Sequence, residues 1–447
     1  MRVCPERASA SILTRPSYTF SGNRQNMKTL VIIGGGFAGL NLIKHLKKDR
    51  YRIKLIDRNN YHCFPPLFYQ VASSGLDASN ISFPFRRELK RRRDVTYHMG
   101  HVKNIDVAAK TVTTSYETIH YDKLVIAAGT TNNYFGMEGM DKITFGMKSV
   151  SEAIRLRDEI LDRLERGALC TDPERRRQLL SFVVVGGGPA GVEIAGALGE
   201  MKKYVMPREY PEINPDEVSI KLVEGNNELL KAMGDKSGEK ALKYLKELQC
   251  DVRLNTSVKG YSEDKILTFG DGSSEYCETV VWTAGVKGEP MPGFKPDVVE
   301  RNGRIRVDEY MRVEGLADVY AIGDIAVMTS DEYPHGHPQV AQVAIQMGRT
   351  LAHNLNKGEL DRMFRYRDKG SMATVGKNRA VVVMKHAFMS GYPAWLAWMF
   401  IHLISLLDMR NRIMVLINWT WNYLTYSTSL RLLIRPVKWP ARKHWGD

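Results

Sequence analysis

Cysteine is scarce in this 447-residue chain, and what there is lies scattered. Cys4, Cys63, Cys170, Cys250 and Cys277 stand at least 27 residues apart, with no CxxC pair. That spacing argues against a disulfide scaffold, a structural zinc site and a dithiol redox motif, and it fits a reducing compartment. Long apolar runs are missing too. The longest nearly apolar stretch, residues 393–407, covers 15 residues and contains His402 and Ser405, whereas a membrane-spanning helix needs about 20. With no such helix to carry protons across a bilayer, a pumping enzyme is not expected. Acidic residues are outnumbered, 50 against 64 Lys and Arg, for a net charge of +14.

What is present is an ordinary folded composition, 43% hydrophobic and 26% charged, in a chain long enough for two or three domains. The basic excess sits in three places. Residues 1–26 carry Arg2, Arg7, Arg15 and Arg24 against Glu6; residues 86–93 carry five Arg and Lys90 against Glu88; residues 409–447 carry Arg410, Arg412, Arg431, Arg435, Lys438, Arg442 and Lys443 against Asp447. The remainder is neutral, which argues against a nucleic-acid-binding surface, since that spreads its cations over the folded body. Residues 1–26 read as a disordered leader or upstream start, with an organelle transit peptide as the alternative.

The apolar residues 30–33 run straight into Gly34-Gly35-Gly36-Phe37-Ala38-Gly39, then into an amphipathic helix and a second strand ending in Asp57. This is a complete strand–GxGxxG–helix–strand–acid unit. Gly34 makes the tight turn, Gly36 admits a pyrophosphate, Gly39 lets helix and strand pack, and Asp57 binds ribose hydroxyls. The unit recurs: residues 181–185 lead into Gly186-Gly187-Gly188-Pro189-Ala190-Gly191, and a later strand ends in Glu224. Glu224 lies 33 residues past Gly191 because a Pro- and charge-rich excursion intervenes. As a ribose ligand its charge would repel a 2′-phosphate and favour NADH over NADPH. Two such units imply a tightly held FAD and an exchanging nicotinamide. Strand-like runs ending in Ala128-Gly129 and Ala284-Gly285 fit crossings between domains beside a cofactor, and Asp324 ends a strand where a flavin ribityl chain is held, or else caps a helix.

These elements, in this order, resemble the two-dinucleotide-binding flavoproteins, and within them the type II NADH dehydrogenases. The most specific matches are His62-Cys63-Phe64-Pro65-Pro66-Leu67-Phe68-Tyr69-Gln70-Val71-Ala72, Trp282-Thr283-Ala284-Gly285-Val286, Ala341-Gln342-Val343-Ala344-Ile345-Gln346, residues 364–376, and the run around Trp395, Trp398 and His402. The resemblance implies an α/β protein of two Rossmann-like domains, the NADH domain (146–285) inserted in a discontinuous FAD domain (27–145 and 286–385), with C-terminal membrane-docking helices (386–447). It implies FAD as cofactor, NADH as substrate and a quinone as acceptor. Ala341 lies against the flavin, Gln342, Ile345 and Gln346 form the quinone pocket, Lys377 stands at its mouth, and Glu193 sits by the nicotinamide–flavin contact. Met347 replaces a glutamine frequent in the family. No metal is implied. Sulfide:quinone oxidoreductases share the architecture but need paired cysteines, and Cys63 has no partner near it in sequence. A flavin- and NADH-binding redox sensor without turnover is the rival from another class.

At helical spacing, His402, Ser405, Asp408 and Arg412 fall on one face of the first tail segment. In a second segment, residues 413–434, Asn411, Asn418, Asn422, Thr425 and Ser429 form a polar stripe beside Trp419, Trp421, Tyr423 and Tyr426. Aromatic belts and flanking cations suit a helix pair lying in a membrane surface, with homodimerisation through the same region. The expected location is the cytoplasmic face of a bacterial inner membrane, or the mitochondrial inner membrane if residues 1–26 are a transit peptide.

Overall fold

A computed structural model describes residues 27–425 and 430–434. The leader, Tyr426, Ser429 and the basic residues beyond 434 lie outside the described residues.

The apolar runs become central strands of two parallel sheets. Thr29–Ile33 pairs with Arg52–Asp57 on one side and Lys123–Ile126 on the other, with Val95–Met99 and Val319–Ala321 at the edges. In the second sheet Ser181–Val185 lies between Ser219–Val223 and Thr279–Trp282, with Asp251–Arg253 outermost. Strands covered on both faces need no polar side, which is why they read as unbroken Val, Ile and Leu. Because Val319–Ala321 joins the first sheet, that unit is built from chain on both sides of the second. The two units are tied by Thr130–Asn132 and Val286–Gly288, which pair antiparallel directly after Gly129 and Gly285.

Beyond the second unit, Ala341–Lys357 packs along the Phe37–His45 helix so closely that a Cβ on Gly348 would stand 2.5 Å from the Ala38 carbonyl oxygen. An antiparallel sheet of Ser371–Thr374, Ala380–Met384 and Ala387–Ser390 then leads into two helices, Tyr392–Ser405 and Met409–Thr425. The second helix is described as far as Thr425, and residues 431–434 are not helical, so the helix expected to reach residue 434 falls short of it.

Both helices bury polar residues on their inner sides, although Ser405 stays exposed. Asn411 is buried and donates to the Ser79 and Asn80 carbonyls at 3.0 and 2.9 Å; Val415 and Trp419 share that face. His402 stacks on the buried Trp398 at 4.1 Å between centroids. Facing outward are Leu396, Phe400, Ile401, Ile404, Met409, Ile413, Leu416, Ile417, Trp421 and Leu424. Of the tryptophans expected at a headgroup boundary, Trp398 and Trp419 are instead core residues, held there by Tyr69 and by a Trp419 Nε1–H bond to Gln70 Oε1 at 2.7 Å. A helix in water hides its apolar stripe, and this pair displays it.

Candidate active site

The two glycine fingerprints fold into the same device. In each, the first glycine has a positive φ, +100° at Gly34 and +110° at Gly186, so the chain turns sharply off the strand. A Cβ on Gly34 would come within 2.3 Å of the Ala127 carbonyl oxygen, and one on Gly186 within 2.8 Å of Ala284. This explains the small residues ending both neighbouring strands, Ala127-Ala128 and Ala284-Gly285. The third glycines meet the turn they follow: Cβ atoms on Gly39 and Gly191 would stand 2.0 and 1.8 Å from the Gly34 and Gly186 oxygens. The middle glycines, Gly36 and Gly188, have nothing within 4 Å of a built Cβ, and the helices they start, Phe37–His45 and Pro189–Glu200, have no side-chain N-cap. The N–H groups of Phe37, Ala38, Gly39, Ala190 and Gly191 thus lie in the first turn of an uncapped helix beside open space. Such an end binds a phosphate through its N–H groups and dipole.

The strand-terminal acids are fastened to these loops. Asp57 accepts the Gly35 N–H at 2.7 Å and the Asn59 N–H at 2.8 Å; burial pushes its carboxyl up while those donors pull it back. Glu224 accepts the Gly187 N–H at 2.5 Å and the Asn226 N–H at 2.8 Å. The longer sequence gap before Glu224 therefore leaves the geometry unchanged.

A third element closes on the first loop. Asp324 stands on a short turn, Gly323–Ile325, that starts no longer helix, so it is not a helix cap. A Cβ on Gly323 would touch Ala38 at 3.1 Å and Ala344 at 3.3 Å, which wedges the turn between the fingerprint helix and Ala341–Lys357. Burial raises the Asp324 carboxyl, with Lys148 and Arg304 opposing, and among the described residues it accepts no hydrogen bond. Ala341 opens its helix without a side-chain cap. Met347 is buried and its sulfur receives the Gly323 N–H at 3.2 Å, so it belongs to this turn and faces no open pocket.

Glu193 is no surface glutamate. It is buried beneath the Thr374 backbone N–H and the Trp398 ring, and burial raises its carboxyl to about 8. The Trp398 indole N–H points toward that carboxylate without closing a hydrogen bond and is otherwise unpartnered. Trp398 also lines a cavity of about 130 Å³ with Tyr69, Gln70, Glu200, Lys377 and Trp419, roughly the room a benzene-sized ring occupies. Lys377 belongs here: its backbone N–H meets Glu200 Oε1 at 2.6 Å, and its ammonium reaches the Tyr423 carbonyl and ring.

Gln342, Ile345 and Gln346 do not line this cavity. Both glutamine amides clasp the chain at 367–370. Gln342 accepts the Lys369 N–H at 3.0 Å and donates to the Gly370 oxygen at 3.1 Å, while Gln346 exchanges two 3.0 Å bonds with the Arg367 backbone. The structure therefore places the expected quinone residues on two surfaces.

One residue of the site escaped the sequence reading. His62 is buried and its Nδ1–H donates to the Gly35 carbonyl at 2.9 Å. Since the partner is a carbonyl, the proton sits on Nδ1, and burial keeps the ring neutral with its ionisation lowered to about 4. Gly35 is thus held on both sides, by Asp57 at its N–H and by His62 at its carbonyl oxygen. In the second loop the Leu230 backbone N–H plays the latter part, at 2.8 Å from the Gly187 oxygen. A histidine inside a hydrophobic motif carries a signal, but only folding shows what it grips.

Two clamped, uncapped phosphate loops, with a bare acid beside the first, define a two-dinucleotide flavoprotein oxidoreductase. Residues 28–348 match the pyridine nucleotide-disulphide oxidoreductase family, and residues 369–426 match the NDH2 C-terminal domain. The type II NADH:quinone oxidoreductase Ndh of Mycobacterium tuberculosis is 35% identical over 89% of this chain and 88% of its own length. The internal alternative NAD(P)H-ubiquinone oxidoreductase A1 of Solanum tuberosum is 28% identical over 87% and 85%. NDH2 of Plasmodium falciparum, solved with NADH, superposes with a TM-score of 0.82 at 20% identity, covering 92% of this chain and all of that one. The sulfide:quinone oxidoreductase of Aquifex aeolicus shares the fold more loosely, with a TM-score of 0.69. The chain belongs to the type II NADH:quinone oxidoreductases. FAD is its cofactor, and the open glycines and bare acid suit it.

Proposed function

We propose that the chain binds FAD at its first fingerprint and NADH at its second, and that it reduces a membrane quinone without pumping protons. The observation that carries this is the duplicated clamp: two open helix N-termini, each with an acid locked onto its loop. When bound, FAD takes a hydride from NADH and supplies two electrons to the quinone.

The chain binds, orients and shields. First-turn N–H groups at Gly36–Gly39 and Gly188–Gly191 hold the pyrophosphates, Asp57 and Glu224 take ribose hydroxyls, and Asp324 offers its unpartnered carboxylate to the ribityl chain. Ala128, Gly129, Ala284, Gly285 and Ala341 leave room for the rings. Glu193, protonated at neutral pH, holds a proton beside the cavity that Trp398 lines. That cavity, under the aromatic tail and bordered by Lys377, is where a quinone ring arrives from the bilayer; the helix bearing Gln342, Ile345 and Gln346 forms the wall toward the flavin. Support for docking by residues 386–447 comes from the outward apolar face of both tail helices. None of the helices is long and apolar enough to cross a membrane among the described residues. Two copies paired through this region would widen the same footing, on the cytoplasmic face of a bacterial inner membrane.

The sulfide:quinone alternative loses support from Cys63, the cysteine nearest the flavin loop: burial pushes its thiol up to about 12, and no disulfide is formed among the described residues. Rapid NADH oxidation on addition of a soluble quinone analogue tests the reading. Slow oxidation with persistently reduced flavin would favour a redox sensor.

A further inference from the structure

The basic run at residues 86–93 has no part in that reaction. We propose that Lys90, Arg91 and Arg93, joined by Arg410, form an edge of the tail that binds the headgroups of anionic phospholipids. This rests on the reading that the tail lies on a bilayer.

The structure first separates structural cations from free ones. Arg87 pairs with Asp408 at 2.8 Å, in the turn between the tail helices. Arg92 pairs with Asp94 at 2.6 Å and reaches back to the Ile43 and Leu46 carbonyls at the end of the fingerprint helix. Arg86 lies over the Tyr97 ring at 5.2 Å. Lys90, Arg91 and Arg93 are exposed, and no ion pair is recorded for them among the described residues; the same holds for Arg410. The acids nearby are engaged: Asp94 with Arg92, Asp408 with Arg87, and Glu88 facing Lys44.

Position completes the argument. The Arg87–Asp408 pair and the two Asn411 bonds to Ser79 and Asn80 fasten the start of the last helix to the segment that leads into the basic run. Met409, next to Arg410, and Ile413, three residues on, are 64% and 50% exposed. Arg410 therefore stands beside the exposed apolar face, and the Arg87–Asp408 pair brings the start of the basic run to the same turn, where lipid phosphates would meet the hydrocarbon boundary. Among the described residues, the tail arginines Arg412 and Arg431 are committed to protein: Arg412 caps the Ile404 and Leu406 carbonyls, and Arg431 pairs with Glu209. Charge of one sign, continuity with the apolar turn and the engagement of Asp94 and Asp408 by other arginines favour an anionic lipid over a merely hydrated surface.

The test is sedimentation of the full-length holoprotein with phosphatidylcholine vesicles, with and without phosphatidylglycerol. Wild type should prefer the anionic vesicles, and added salt should erase the preference. A cation near an anionic surface is worth roughly fivefold in affinity. The combined variant Lys90→Gln, Arg91→Gln, Arg93→Gln, Arg410→Gln should therefore lose at least about tenfold on anionic vesicles, while binding to neutral vesicles and turnover of a soluble quinone stay unchanged. A variant that keeps the wild-type preference overturns the proposal, as does one that loses both vesicle types alike. Wild type that ignores neutral vesicles but prefers anionic ones, with the variant abolishing that preference, supports the edge while the apolar footing fails.

Discussion

Glu224 Oε2 receives the Gly187 N–H at 2.5 Å, matching the 2.7 Å bond between Asp57 Oδ2 and the Gly35 N–H in the other unit. One carboxylate thus braces its loop and, in the proposed function, also takes the ribose hydroxyls. Charge-assisted hydrogen bonds are worth about 1.5–3 kcal/mol each. Glu224→Gln should raise the KM for NADH by roughly 10-fold or more and narrow the preference over NADPH, with bound flavin unchanged. Steady-state kinetics with both nucleotides checks it; an unaltered preference would place the selection elsewhere.

His62 holds the same residue, Gly35, by its carbonyl oxygen. In His62→Ala the Gly35 carbonyl loses its partner, at a cost of about 1–3 kcal/mol. The variant should shed flavin on gel filtration while NADH still protects the second unit from proteolysis, since Leu230 holds the Gly187 oxygen independently. Retention of flavin at the wild-type level would remove His62 from the loop's support.

How much of this was legible beforehand depends on range. The fingerprints, Asp57 and Glu224 lie within local units whose spacing dictates their geometry, and they were readable. Gln342 and Gln346 were readable as a motif, but the segment they clasp lies about 25 residues downstream. Periodicity located the Asn411–Asn418–Asn422 stripe without revealing which way it faces; only the buried bonds of Asn411 show that the polar side is the inner one. Trp398 and Trp419 looked like interfacial aromatics because a sequence does not separate a ring against lipid from a ring against Tyr69 or Gln70.

Glu193 titrates near 8 because its carboxyl is buried. An acid raised in the folded state keeps its proton below that value. Its contribution to stability is fully present below about 4.5, the ordinary value of a glutamate, and is lost as pH rises to about 8. Flavin reoxidation by quinone should fall as pH passes upward through 8, and the Tm should decline between about 4.5 and 8 and level off above. Glu193→Gln should flatten both profiles; a retained step in either would assign it to another group.

Gln342→Leu leaves the Lys369 N–H and the Gly370 carbonyl without their side-chain partner. The quinone half-reaction should slow by about 10-fold or more, while flavin reduction by NADH stays nearly intact. Rapid-mixing measurements of the two half-reactions decide it: equal loss in both would contradict a place on the quinone side.

On the tail, Ile417 and Leu424 are 54% and 72% exposed on the outward face. Replacing both with Asp should leave folding and soluble-quinone turnover unaltered and release the protein from neutral vesicles. Persistent sedimentation would mean that this face packs against something other than lipid.

The central claim is that electrons pass from NADH through the flavin of this chain to a quinone. Its most direct test is anaerobic rapid mixing of the flavin-loaded protein with NADH, followed by a short-chain quinone, while the flavin absorbance is recorded. The account predicts prompt bleaching by NADH and full, rapid recovery on quinone addition, with one quinone reduced per NADH consumed. Flavin that bleaches and stays reduced in the presence of quinone would contradict it.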